Sequence, residues 1–209
     1  MACPLPVIRH QLNGSPTQGE DCGPCACAVG TDFASCGEYK PRTTTVRKAM
    51  GNLTGPTSLR DSIRAYESFT DELRARGRGP VRMRPLLFGS WADDAMPALR
   101  EGYGIQLAMN YGTLNRLAPK LSGDKLFKGS HMIFAHGLFR RDGVPMTRVW
   151  DSLDDGRRAG IPDGPILWPI SILRETCAEL RATFADGVKR EIGPGKVAGI
   201  IIKRSKEIS

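Results

Sequence analysis

Cys22 stands in the segment Gln18-Gly19-Glu20-Asp21-Cys22-Gly23-Pro24-Cys25, a polar stretch that gives way to small apolar residues from Ala26 to Val29. The pattern predicts a thiol at the start of a buried helix. Unpaired amides and the helix dipole favour negative charge on sulfur there, which makes the thiol a candidate nucleophile. Pro24 suits a first helical turn, because the amide it lacks would have no intrahelical partner. Gly23 leaves the backbone open to close approach by a substrate carbonyl. A thiol nucleophile needs in addition a base and donors for the developing oxyanion. Gln18, four residues upstream of Cys22, is the expected side-chain donor; Gln11 is too far ahead unless the chain between them doubles back.

Three histidines are available as the base: His10, His131 and His136. His10 belongs to the lead-in, where no regular element holds it. His131 opens the apolar run Met132-Ile133-Phe134-Ala135, which predicts a strand whose first residue can reach across a cleft. His131 and His136 differ by an odd number of positions, so on a strand they point to opposite faces. His131 is therefore the expected base, the one facing the helix of Cys22, and His136 is expected to be structural or on the surface. Asp151 follows the predicted strand Thr147–Trp150. A carboxylate there can accept the second imidazole N–H and hold the tautomer. Asp154 and Asp155 would substitute only if their loop folds back.

The elements that must position these groups are legible in outline. Residues 1–21 read as an extended lead-in, and a helix runs from Gly23 to Val29 with irregular chain from Gly30 to Pro41. Helices are expected at Thr43–Ala49, Leu59–Leu73, Ala92–Glu101 and Ile170–Phe184. In the second, Leu59, Ile63, Tyr66, Phe69 and Leu73 recur at helical spacing. Strands are expected at Arg82–Phe88, Ile105–Tyr111, His131–Phe139, Thr147–Trp150 and Lys196–Lys203. Helices come early and mostly antiparallel strands late, so the class is α+β, in one domain spanning residues 1–209.

Composition narrows the function. The 209 residues are 40% hydrophobic and 25% charged, which is ordinary for a globular chain. No apolar run approaches the roughly 18 residues of a membrane span. No basic leader precedes a long apolar stretch in Met1–Gln11, so the expectation is a protein that is cytoplasmic at synthesis. The net charge is +8, and 21 of the 30 basic residues are Arg. The densest run, Arg74, Arg76, Arg78, Arg82 and Arg84, lacks interleaved aromatics for base stacking. It reads as a solvated linker, and nucleic acid is not the expected partner.

Cys3, Cys22, Cys25, Cys27, Cys36 and Cys177 are expected to be free thiols, since the chain has no visible leader and is large enough to fold without staples. Cys22, Cys25, Cys27 and Cys36 suggest zinc only weakly, because no second Cys-x-x-Cys pair exists. Cys22-Gly23-Pro24-Cys25 suits a redox dithiol, but the loop-like lead-in is not the strand such a motif follows. No metal or cofactor is expected.

Asp21-Cys22-Gly23-Pro24 at a helix start resembles the nucleophile motif of the C39-like peptidases, within the papain-like superfamily. Leu99–Gly102 before the strand Ile105–Tyr111, Gly129-Ser130-His131 entering an apolar strand, and Val149-Trp150-Asp151 resemble that family's later segments, so the similarity covers roughly residues 5–155. The resemblance implies a papain-like fold and hydrolysis of peptide or related amide bonds through a thioester, cell-wall peptides included. Cys22, His131 and Asp151 would form the triad, with Gln18 at the oxyanion. The family's glutamine lies five or six residues before the cysteine, and small apolar residues usually stand where this chain has Cys25. The alternative is a non-enzymatic papain-like component of a phage tail or other virion assembly, with virion proteins as partners. An Arg-rich domain without a leader fits a bacteriophage product carried in a particle.

Overall fold

A computed structural model describes residues 3–11, 16–77, 81–154, 164–178, 180–183 and 189–204. Its centre is a six-stranded sheet in the order β1-β8-β2-β3-β4-β5. The strands are β1 (Arg82–Ser90), β2 (Gly104–Asn110), β3 (Ser130–Arg141), β4 (Val144–Trp150), β5 (Ile166–Pro169) and β8 (Lys196–Lys203), and every neighbouring pair is antiparallel. Two short strands, β6 (Arg181–Thr183) and β7 (Lys189–Glu191), form a separate hairpin. With helices against both faces of an antiparallel sheet, the class is α+β. No helix among the described residues is long and apolar enough to cross a membrane.

Alternation along the strands builds two cores. On one face, Phe134, Trp150, Ile200 and Ile202 pack against α1 (Cys22–Ala34), α2 (Thr43–Met50) and α3 (Leu59–Ala75). On the other, Ile105, Leu107, Ile133, Ala135 and Val149 meet α4 (Met96–Arg100), α5 (Tyr111–Leu117) and α6 (Ile170–Ala178). Helix α1 is buried along its whole length after Cys22 and lies on β3. Glycines allow that approach. A methyl group on Gly30 would collide with Tyr66 Oη and press on Ile202 Cδ1 at 2.8 Å, and one on Gly23 would collide with Thr57 Oγ1. Gly23 is thus spoken for by packing, where the sequence suggested room for a substrate.

Several boundaries differ from the sequence expectation. Helix α1 continues through Gly30 to Ala34, because Phe33 packs on Phe134 with ring centroids 5.3 Å apart. The expected helix Ala92–Glu101 begins as a π-helical turn (Trp91–Ala95), in which the Met96 amide reaches back to Trp91 O and Pro97 has no amide to offer. Gly102 ends α4 at φ +76°, a left-handed position natural to glycine. Helix α6 stops at Ala178, well short of Phe184, which itself lies outside the described residues. Leu180 instead joins Ile192, Ala108 and Ala198 in a small apolar cluster, which draws the chain into the β6–β7 hairpin.

The expectation of six free thiols is corrected. Cys3 and Cys36 form a disulfide that ties the lead-in to the turn after α1, while Cys22, Cys25, Cys27 and Cys177 are free. Cys36 sits at φ +53° just beyond the helix end, a placement no spacing argument reveals. Further bonds seat the lead-in: Trp150 Nε1 donates to Pro6 O at 2.9 Å and the Val7 amide to Asp32 Oδ2 at 3.1 Å. The arginine run is part ordered surface: Arg76 pairs with Glu72 and lies over the Tyr39 ring, and Arg84 pairs with Asp94. Arg78 lies outside the described residues.

Alanine at an interior helix glycine ordinarily stabilises by about 1 kcal/mol. Gly30→Ala should do the reverse, losing about 1–3 kcal/mol through overpacking against Tyr66 and Ile202. Urea unfolding followed by fluorescence measures it; a gain in stability would contradict this account of how α1 seats on the sheet.

Candidate active site

Asp21 stands at the position just before α1, where its side chain makes no capping hydrogen bond, and Cys22 is the first helical residue, reached through a 3-10 turn at Gln18–Glu20. A buried arginine holds this end in place. Arg47 of α2 donates Nε to Asp21 Oδ1 at 2.6 Å, Nη2 to Glu20 O at 3.1 Å, and Nη1 to Asn52 O and Gly55 O at 3.2 and 3.1 Å. One guanidinium thus fastens the residues before Cys22 to the loop between α2 and α3. That loop returns Thr57 beside Gly23.

His131 and Asp151 are both fully buried, with His131 Nε2 2.8 Å from Asp151 Oδ1. Since the carboxylate takes Nε2, Nδ1 is the ring nitrogen left for Cys22. It is buried and has no hydrogen-bond partner among the described residues. Burial alone would raise the Cys22 thiol, but the nearby His131 ring with its charge and the backbone amides of Met132 and Gly23 outweigh it, and the pKa is lowered. Burial would likewise depress His131, yet the Asp151 charge and hydrogen bond, with Cys22 adding to them, raise it to about 10. For Asp151, burial works against ionisation, and His131, the Leu153 amide and Tyr111 hold the pKa below the ordinary value. The arrangement favours a thiolate beside an imidazolium, oriented by a carboxylate.

The histidines divide between the faces differently from the expectation. His136 is on the helix-facing side, 4.8 Å from the Phe33 ring and near Trp150. His131 shares the opposite face with Tyr111 and Phe127, whose rings lie edge-on at 4.9 and 6.0 Å. It still meets Cys22 because α1 starts level with the start of β3, where the Met132 amide also reaches the sulfur. At the end of a sheet, a ring need not be on the helix-facing side to reach the first residue of a helix.

Gln18 lies half-buried in the 3-10 turn, and Gln11 is buried against Ser152. The Gln11 amide donates to Ser152 O at 3.0 Å, and its Oε1 accepts from Ser152 Oγ at 3.1 Å, next to Asp151. That leaves the two Nε2 protons without a hydrogen bond to any described residue. Tyr111 also escapes the sequence reading, which took it only as the end of a strand. The register pairs Met109 with His131, so position 111 continues on the face of His131. Its Oη donates to Asp151 Oδ2 at 2.8 Å and accepts from the Gly123 amide at 2.9 Å. Asp154 is buried in the turn that Asp151 opens; the structure does not describe Asp155. Cys25 and Cys27 are buried thiols that burial pushes up, Cys27 to about 12, and Cys36 is taken by Cys3. No protein-family model matches the chain, and no curated protein matches it.

Arg47→Met should cost about 3–5 kcal/mol, because it removes the cation of a buried ion pair with the Asp21 carboxylate. Chemical denaturation tests this, and a loss below 1 kcal/mol would show that the pair does not hold the helix start. His136 titrates the other way from His131: burial, Arg204 and Arg148 lower it from 6.5 to about 4. The unfolded chain therefore binds the extra proton between those values, and stability falls as the pH drops through that window. His136→Gln should flatten that part of the melting-temperature profile; an unchanged slope would refute the assignment.

Proposed function

We propose that the protein is a thiol hydrolase acting on peptide or related amide bonds, in a papain-like fold that resembles the C39-like peptidases. The observation that carries the reading is the line Cys22–His131–Asp151. A buried carboxylate occupies one imidazole nitrogen, the other is left to the thiol, and the thiol pKa is lowered by that contact.

In this reading the Cys22 thiolate attacks the substrate carbonyl carbon, and the carbonyl electron pair moves onto oxygen. The Cys22 amide at the helix start and Gln11 Nε2 are the donors that meet the oxyanion. We assign Gln11 the part that the sequence suggested for Gln18, because its Oε1 is anchored on Ser152 beside Asp151 and its amide protons meet no acceptor among the described residues. Collapse of the intermediate expels the amine, which receives the proton from His131 Nδ1, and a thioester remains on Cys22. Water then attacks the thioester, deprotonated by the same nitrogen, and releases the acid with the thiol restored.

Limiting iodoacetamide across pH 5 to 8, with mass-spectrometric mapping of the cysteines, tests the reading. Cys22 should alkylate well below the pH of an ordinary thiol, while Cys25, Cys27 and Cys177 stay silent because burial raises them. His131→Ala should abolish the selectivity. Against a peptide substrate, Cys22→Ala should be inactive, Gln11→Ala about 10²–10³-fold slower, and Asp151→Asn less impaired than His131→Ala. Uniform slow alkylation of wild type would sink the hydrolase and leave a papain-like scaffold without chemistry, as in the virion-component alternative.

A further inference from the structure

Tyr111 does more than fill space beside the triad. It is the first residue of α5 and fully buried, and both functions of its hydroxyl are committed. The proton goes to Asp151 Oδ2 at 2.8 Å, and a lone pair takes the Gly123 amide at 2.9 Å. The other carboxylate oxygen, Oδ1, is shared by His131 Nε2 at 2.8 Å and the Leu153 amide at 2.9 Å. Oδ2 has Tyr111 as its partner, so the phenol fixes the rotation of the carboxylate about its own axis. Burial, then the Asp151 charge and hydrogen bond, push the phenol ionisation far above its usual value of 10.0. Tyr111 therefore remains a donor at any working pH.

The acceptor side of the same hydroxyl reaches into the segment between α5 and β3. Besides the Gly123 bond, Asn115 Nδ2 donates to Asp124 O at 3.1 Å and Phe127 O at 2.7 Å. The Phe127 ring then lies edge-on to His131. Tyr111 thus joins that segment and the catalytic carboxylate through one oxygen. Among the described residues, the titratable groups that act on the His131–Asp151 pair are Cys22 from α1 and Tyr111 from α5; Asp154 is buried in the turn that follows the carboxylate, its amide on Asp151 O.

We propose that Tyr111 is a positioning residue of the hydrolase site, holding Asp151 in the orientation that supports the His131 imidazolium. The proposal rests on the thiol-hydrolase reading. Without the phenol the carboxylate is free to turn, its support of the imidazolium weakens, and the thiolate loses part of its counter-charge.

Tyr111→Phe keeps the ring and removes the hydroxyl. Two readouts on the whole chain decide the matter: the pH midpoint of Cys22 alkylation by iodoacetamide, and the His131 titration followed by its imidazole ¹³C resonance. The second is tractable because the chain has three histidines. The Cys22 midpoint should rise and the His131 midpoint fall, each by about one pH unit, the size expected for a lost charge-assisted hydrogen bond. A merely structural role would lower the melting temperature and leave both midpoints where they are; that result, or movement in the opposite sense, overturns the proposal. If Tyr111→Phe does not fold, 3-fluorotyrosine at position 111, a stronger donor of nearly the same shape, should shift both midpoints in the opposite directions, and no shift overturns the proposal. A wild-type Cys22 that alkylates like an ordinary thiol would instead remove the hydrolase reading itself.

Discussion

A carboxylate enclosed by protein must be met by donors on every side, because an unpaired buried charge costs several kcal/mol. Asp151 is such a group, and three donors reach it: His131 Nε2, the Leu153 amide and Tyr111 Oη. They come from three places in the chain. His131 is the second residue of β3, Leu153 lies in the turn after β4, and Tyr111 starts α5, so these elements are bound to one geometry. The lead-in joins them through Gln11 on Ser152, and Trp150 Nε1 fixes Pro6 behind it.

The same demand explains the electrostatics around Asp151. Burial by itself would leave a neutral thiol, a neutral imidazole and a protonated acid. Each group is shifted the opposite way by the partner beside it, so the charges of Cys22, His131 and Asp151 are mutually dependent. Helix α1 adds its own contribution by presenting Cys22 at the end where backbone amides are unsatisfied. It can lie close enough to do so only because Gly23 and Gly30 admit Thr57 and Tyr66. Behind Gly30, Tyr66 Oη donates to Gln106 Oε1 at 2.7 Å, and Gln106 Nε2 donates to Ser62 Oγ at 2.8 Å, which satisfies the polar groups that this packing buries.

Local pattern was enough to nominate Cys22, His131 and Asp151, which the structure brings together, and to place the elements that carry them. A polar stretch before a Gly-Pro and small apolar residues marks a helix start, and alternation marks strands; both are properties of neighbouring residues. Strand β8 and helix α3 were legible for that reason. The π-helical turn at Trp91, the early end of α6 and the continuation of α1 past Gly30 were not, because distant apolar contacts overrode the local signal. Leu180 with Ile192, and Phe33 with Phe134, are contacts of that kind.

The parity of His131 and His136 was readable, but which of them faced the helix was not, since that depends on the side of the sheet to which α1 packs. The sequence by itself determined the residue types that can do thiol chemistry, their order and the α+β class, because these follow from short-range periodicity and chemical identity. Tertiary structure alone decided that Gln11 is bound to Ser152 beside Asp151, that Tyr111 holds the second carboxylate oxygen, that Arg47 anchors the turn before Cys22, and that Cys3 pairs with Cys36. Each of these joins elements whose closeness arises when a six-stranded sheet and its helices bury their apolar faces, and no spacing along the chain encodes that distance.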